Sequence, residues 1–309
     1  MKRRDSAGGH HLRDANRGAT KSVFSNTNEA EGTDANIMSA FTSDGFTLGN
    51  GDNTNNSSGT YVGWGWDAGT AAATPSTEGS ITPSGQWVND TAGFSISKYT
   101  GTEAAATVGH GLSKAPEFVI VKNIGVASSN WLVWHKALAA TEQLYLNDNS
   151  AVVTGQTNTW NSTKPTDDVI SMNASWWSND SGVDHIAYCW RSIAGYSAFG
   201  SWKGTGADPG PFVFLGFRPR YFLMKELDDA TNWLIYDAER DSGNPTQFYL
   251  FANTTDAGAT YDASSTDLSI DFLSNGVKIR NTNSGVNASG DTYIYAAFAE
   301  QPFKVARGG

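Results

Sequence analysis

Phe118-Val-Ile-Val-Lys122, a polar turn, then Asn130-Trp-Leu-Val-Trp-His135: the chain writes this pattern a second time, as Phe222-Leu-Met-Lys225 followed by Asn232-Trp-Leu-Ile-Tyr-Asp237. An apolar strand ending in lysine, a short polar turn and a Trp-led strand describe a hairpin. Alternation of apolar and polar residues at period two marks half-buried antiparallel strands. Upstream, Gly93 opens GFSISKYTG and Gly195 opens GYSAFGSWKG, 29 and 30 residues before the two lysines. Internal repetition on a scale of roughly 100 residues implies tandem copies of one domain.

Residues 1–69 carry a third copy. Lys2 to Asp14 lies on Lys225 to Asp237 without a gap. Val23-Phe-Ser-Asn-Thr-Asn-Glu-Ala30 lies on Leu250-Phe-Ala-Asn-Thr-Thr-Asp-Ala257, with Leu144-Tyr-Leu-Asn-Asp-Asn-Ser-Ala151 in the same place. Phe41-Thr-Ser-Asp-Gly-Phe-Thr-Leu48 matches Phe272-Leu-Ser-Asn-Gly-Val-Lys-Ile279, where Asp-Gly and Asn-Gly favour tight hairpin turns. The copies close on apolar strands, Tyr61 to Trp66, His185 to Trp190 and Tyr293 to Phe298. The middle copy departs most, with Ser178-Asn-Asp-Ser-Gly182 where the others have long Gly/Asn/Ser loops.

Met1 falls opposite Met224, so copy one has no counterpart of Gly195 to Leu223. The expectation is a first sandwich without its opening strands, with an edge to be filled. An upstream part of the same polypeptide, a strand from a neighbouring subunit, or cover by copy two would each fill it. The tail after Phe298 is too short and polar to do so. Lys2 to Asp14 should occupy the place of Lys225 to Asp237, beside an unfilled or foreign-filled slot.

Short strands with frequent turn signals and no convincing helix-period stretch make the fold all-β, three tandem antiparallel β-sandwiches. The divisions are copy one at 1–69, a linker at 70–92 in which Gly79 to Val88 is a candidate first strand, copy two at 93–192, and copy three at 193–309 with a short C-terminal tail. Composition agrees: 24 Asn, 31 Ser and 30 Thr suit turns and wet strand faces rather than helix interiors. With 39% apolar and 12% aromatic residues the chain is too hydrophobic for disorder. A net charge of −10 with dispersed Lys and Arg leaves no footprint for nucleic acid. No apolar run approaches the ~20 residues of a membrane helix, so no membrane insertion is expected, and MKRRDSAGGHH lacks the apolar segment of a secretory signal.

The search for chemistry yields little. Cys189 is the single cysteine, which rules out an internal disulfide framework, and its apolar run marks a buried small hydrophobe. His10, His11, His110, His135 and His185 show no HExxH spacing. The carboxylate pairs Asp167-Asp168, Asp228-Asp229 and Glu239 with Asp241 are what polar turns contain, and adjacent residues do not supply the separation of about 5 to 10 Å across a cleft that glycoside hydrolysis needs. Asp14 and Asp237 stand at one repeat position where copy two has His135, and a repeated acid without a repeated partner points to structure. No catalytic residue and no cofactor are therefore expected. Asn50 to Asn55 and Asn147 to Asn149 offer hard oxygen ligands for calcium, though Asn and Asp also make such turns unaided. Of the 11 Trp, Trp131, Trp134, Trp190 and Trp233 lie in apolar strands and belong to the core. Trp160 sits in a polar loop with Asn158 and Asn161. Either a sugar ring stacks on it and bonds those amides, or it folds back on its own domain or a neighbouring subunit. Trp87 is the second carbohydrate-binding candidate.

The passages Ala92-Gly-Phe-Ser-Ile-Ser-Lys-Tyr-Thr-Gly101, Gly109-His-Gly-Leu-Ser-Lys-Ala-Pro-Glu-Phe-Val-Ile-Val-Lys122, Trp131-Leu-Val-Trp-His-Lys136 and Asp271-Phe-Leu-Ser-Asn-Gly-Val-Lys-Ile-Arg280 carry a resemblance. So does Ala288-Ser-Gly-Asp-Thr-Tyr-Ile-Tyr-Ala-Ala-Phe-Ala-Glu300. Together they resemble the repeated domains of tailed-bacteriophage tail fibre and other virion proteins, over nearly the whole chain. The resemblance implies jelly rolls similar to concanavalin A and laminin G domains, and a place on the virion. It implies other virion proteins as partners, a homo-oligomer, trimeric in a fibre shaft or tip, and a fold that often holds calcium. A carbohydrate-binding adhesin for host surface glycan is the alternative from another class, with a polysaccharide depolymerase behind it.

Overall fold

The computed structural model describes residues 1–258 and 268–300; the expected C-terminal tail beyond Glu300 lies outside the described residues. Copy one contains β1 (Lys2–Arg3), β2 (His11–Leu12), β3 (Lys21–Phe24), β4 (Gly32–Thr33), β5 (Met38–Phe41), β6 (Phe46–Leu48), α1 (Asp52–Asn55) and β7 (Tyr61–Val62). Copy two contains β8 (Gly85–Asn89), β9 (Phe94–Thr100), β10 (Ala106–Gly109), β11 (Phe118–Asn123), β12 (Leu132–His135), β13 (Leu144–Tyr145), β14 (Val169–Met172), α2 (Trp176–Asn179) and β15 (Asp184–Trp190). Copy three contains β16 (Ser197–Lys203), β17 (Phe212–Phe214), β18 (Pro219–Glu226), β19 (Leu234–Asp237), β20 (Tyr249–Phe251), β21 (Ile270–Leu273), β22 (Gly276–Ile279), α3 (Ser284–Asn287) and β23 (Thr292–Ala299).

The fold is an all-β sandwich architecture, as the alternation predicts. The large sheet of copy two runs β13-β12-β11-β15-β9-β8, and that of copy three β20-β19-β18-β23-β16. Strand for strand the order is the same, with β8 added at one edge. Trp87 pairs with Ile96 in that addition, so the candidate first strand within residues 70–92 is a strand at 85–89. Small sheets β10-β14 and β17-β22-β21 form the second layers. The single helical turns α1, α2 and α3 each precede the closing strand of their copy. One turn is too short to show helix periodicity, and the sequence did not announce them.

The expectation of half-buried strands is corrected. All six residues of β11 and all four of β12 and β19 are buried. In copy three, one face (Phe222, Met224, Leu234, Tyr236) packs on the small sheet through Phe272 and Val277. The opposite face (Leu223, Trp233, Ile235, Ile294, Phe298) joins a second core that runs through copy two to Val23 of copy one. Sheets covered on both sides tolerate near-continuous apolar strands, and here the second cover is the sister copies.

The copies close into a ring. Glu31 N–H donates to Ile124 O at 2.9 Å, Val152 N–H to Leu227 O at 2.8 Å, and Gly258 N–H to Arg4 O at 2.7 Å. These are one repeat position donating to another, from copy one to two, two to three and three to one. Likewise Trp131 Nε1 donates to Phe24 O (2.9 Å) and Trp233 Nε1 to Tyr145 O (2.8 Å). His10, at the same place in copy one, faces the Phe251 carbonyl. A single chain therefore has a pseudo-threefold axis.

In copy one, β1 pairs β7 (Lys2 with Val62) as β18 pairs β23 (Lys225 with Ile294), and His11 N–H donates to Met1 O at 2.9 Å where Leu234 pairs Met224. Lys2 to Asp14 thus takes the place of Lys225 to Asp237. On the outer side of β7, where β23 pairs β16, no strand lies among the described residues.

Candidate functional site

The repeated lysines lie in their strands inside the protein. Lys2, Lys122 and Lys225 are fully buried. Lys122 Nζ donates to Asn123 O and Ser129 O, both at 2.8 Å. Lys225 Nζ donates to Glu226 O (2.6 Å), Thr231 Oγ1 (3.3 Å) and Asp229 O (3.4 Å). Lys2 Nζ donates to Gly8 O at 2.7 Å and crosses to copy three at Thr255 O, 3.0 Å. Each ammonium gathers carbonyls that the hairpin turn would otherwise bury unpaired. Burial pushes all three amines down from their ordinary value of 10.5 to about 8.

The repeated acids face a neighbour. Asp14 accepts from Arg17 Nε at 2.6 Å and from Tyr188 Oη of copy two at 2.7 Å. Asp237 is ion-paired to Arg240 and accepts from Trp64 Nε1 of copy one at 3.3 Å. Tyr188 and Trp64 occupy the same position of their closing strands. Copy two substitutes His135, whose Nε2–H reaches Tyr295 O of copy three at 3.2 Å while Nδ1 accepts from Ala137 N–H at 3.1 Å. The partners that the sequence search did not find are Arg17 and Arg240, three residues after each acid. The shared D-x-x-R spacing was the available signal.

The carbohydrate expectation at Trp160 does not hold. Its ring is 2% exposed and belongs to the core, and Thr159 O beside it accepts from Ser178 Oγ. A side chain with no open face cannot stack on a sugar. Asn158 is exposed and Asn161 half-buried, without the ring that was to lie between them. Trp87 is half-buried in β8 against the core. The exposed indole is Trp176 of α2, 44% exposed and 5.5 Å from the Trp177 ring, which meets Tyr145 edge-on at 5.4 Å.

The other candidates are engaged locally. Asp167 holds Lys114 Nζ and Ala115 N–H, Glu239 pairs with Arg220, and Asp241 accepts from Gln247 N–H and Phe248 N–H. Cys189 is buried, its thiol pushed up to about 12 by desolvation. In the expected calcium loops, Asn55 donates to Gly49 O, Asn147 accepts from Trp131 N–H, and Asp148 accepts from Ser150 N–H. Those side chains make the turns. Among the described residues Glu226, Asp229 and Asp291 instead bring three carboxylates together, a convergence hidden in sequence because Asp291 lies far along the chain.

No curated protein and no solved structure matches the chain. A family model described as a domain of unknown function, DUF7483, matches residues 1–302, and so spans all three copies as one unit. That match covers nearly the whole chain, and the chain belongs to the DUF7483 family.

Proposed function

We propose that the chain is a non-enzymatic structural component of a bacteriophage particle, a tail-fibre or appendage module held among other virion proteins. The observation that carries this is the closed ring. Three sheets cover one another's backs, and the repeated polar residues are spent on holding turns and junctions rather than aimed at a cleft. Such construction suits a rigid spacer, and the resemblance to repeated virion domains points the same way. Mass spectrometry of purified particles tests it: the chain should be recovered from virions. Its confinement to the cytoplasm of infected or uninfected cells would defeat the reading, as would release of reducing ends from host polysaccharide.

A second reading, contact with host surface glycan, draws on Trp176. An exposed indole backed by two further rings is a stacking platform for a sugar face. A glycan array with the native chain and Trp176→Ala decides it. Binding lost in the variant supports this reading, and no binding by the native chain removes it.

A further inference from the structure

We infer that Glu226, Asp229 and Asp291 form a divalent-cation site on the rim of copy three, suited to calcium. Glu226 ends β18, Asp229 sits in the turn to β19, and Asp291 immediately precedes β23. One carboxylate oxygen from each lies within 4.8 Å of the others. Calcium–oxygen bonds of about 2.4 Å allow a single ion to span that distance. The donors are all hard oxygens, without the nitrogen or sulfur that softer metals prefer.

Glu226 is the independent sign of a missing partner. It is 1% exposed, and neither carboxylate oxygen accepts a hydrogen bond. Buried carboxylates left so are costly unless something neutralises them. No ion pair with any of the three acids is present among the described residues, and Lys225 Nζ is spent on the backbone and Thr231. Burial first, then the adjoining Asp291 carboxyl and the negative charges of Asp291 and Asp229, push Glu226 up to about 7. The backbone beside Glu226 and Asp291 is tied in place, since Leu227 N–H donates to Thr292 O (2.9 Å) and Gly204 N–H to Asp291 O (2.9 Å). Asp229 is exposed and Asp291 half-buried, leaving a route for the ion and for waters completing its shell.

The sister copies show that the fold does not require acids here. At the position of Glu226, copy two has Asn123, which donates to Trp176 O (2.9 Å) and accepts from Gly125 N–H and Val126 N–H (both 3.1 Å). At the position of Asp291 it has Val183, while copy one has Arg3 and Gly59 at the two places. Three converging charges in one copy only, one of them unsatisfied, are the mark of a ligand rather than of the scaffold.

The test uses the full chain, stripped with EDTA and dialysed, titrated with calcium chloride at neutral to slightly alkaline pH by calorimetry and thermal melting. One equivalent should bind and raise the melting temperature. Glu226→Gln and Asp291→Asn should each weaken binding by about tenfold or more, some 1.4 kcal/mol. Glu226→Gln should also melt above the native chain in EDTA, because it removes a buried repulsion. Asp167→Asn, at an exposed ion pair elsewhere, should leave calcium binding unchanged. Absence of heat and of any melting shift at millimolar calcium overturns the proposal. Undiminished binding in Asp291→Asn, whose half-buried position makes it the safer fold, overturns it equally.

Discussion

His135 makes the pH dependence of the molecule a matter of single atoms. Nδ1 accepts from Ala137 N–H and Nε2–H donates to Tyr295 O, so the neutral ring satisfies both neighbours and a second proton would break the first bond. Burial takes its pKa from the ordinary 6.5 to about 3, and takes His10 to about 3 and His11 and His185 to about 4. Below 6.5 the unfolded chain takes up protons that the folded one refuses, so these groups contribute stability above that pH and lose it as pH falls toward their folded values. His135→Asn should flatten the acid slope of unfolding free energy by about one proton, at an overall cost of about 1–3 kcal/mol for the orphaned groups. Denaturant titrations across pH check this, and superimposable slopes would refute it.

At the scale of elements, the same hairpin meets two environments. Phe272 and Val277 pair across β21 and β22 and are 0% exposed, whereas their counterparts Phe41 and Phe46 across β5 and β6 are 43% and 46% exposed. Phe272→Ala should therefore cost about 3–5 kcal/mol, while Phe41→Ala should cost under about 1 kcal/mol. Chemical denaturation compares them directly, and equal losses would mean the two hairpins are packed alike. The contrast also shows what was legible. Repeats, strand order and turns are written locally and three times over, so Lys2 to Asp14 could be laid on Lys225 to Asp237 from residues alone. What lies across the junctions could not be read, because Asp14 meets Tyr188 and Trp131 meets Phe24 over separations that no spacing records. Trp160 misled for the same reason: its neighbours in sequence are polar, but its neighbours in space are core.

For the whole molecule, each copy contributes to two junctions, and each sheet relies on the others for its second cover. Unfolding should be one cooperative transition, with calorimetric and van't Hoff enthalpies in agreement. A fragment of residues 1–192 loses the contacts from Val152 to Leu227, from Gly258 to Arg4 and from His135 to Tyr295, and should melt far lower or not cooperatively. Two resolved transitions in the intact chain would contradict this. Carrying all three copies on one chain also bears on inheritance. In a trimer of identical chains every substitution arrives three times, so a novelty useful at one position must be tolerable at all three. Here a substitution arrives once. Glu226 with Asp291 in one copy, Trp176 in another and Arg3 with Gly59 in the third are then what duplication followed by separate drift can produce on a single scaffold.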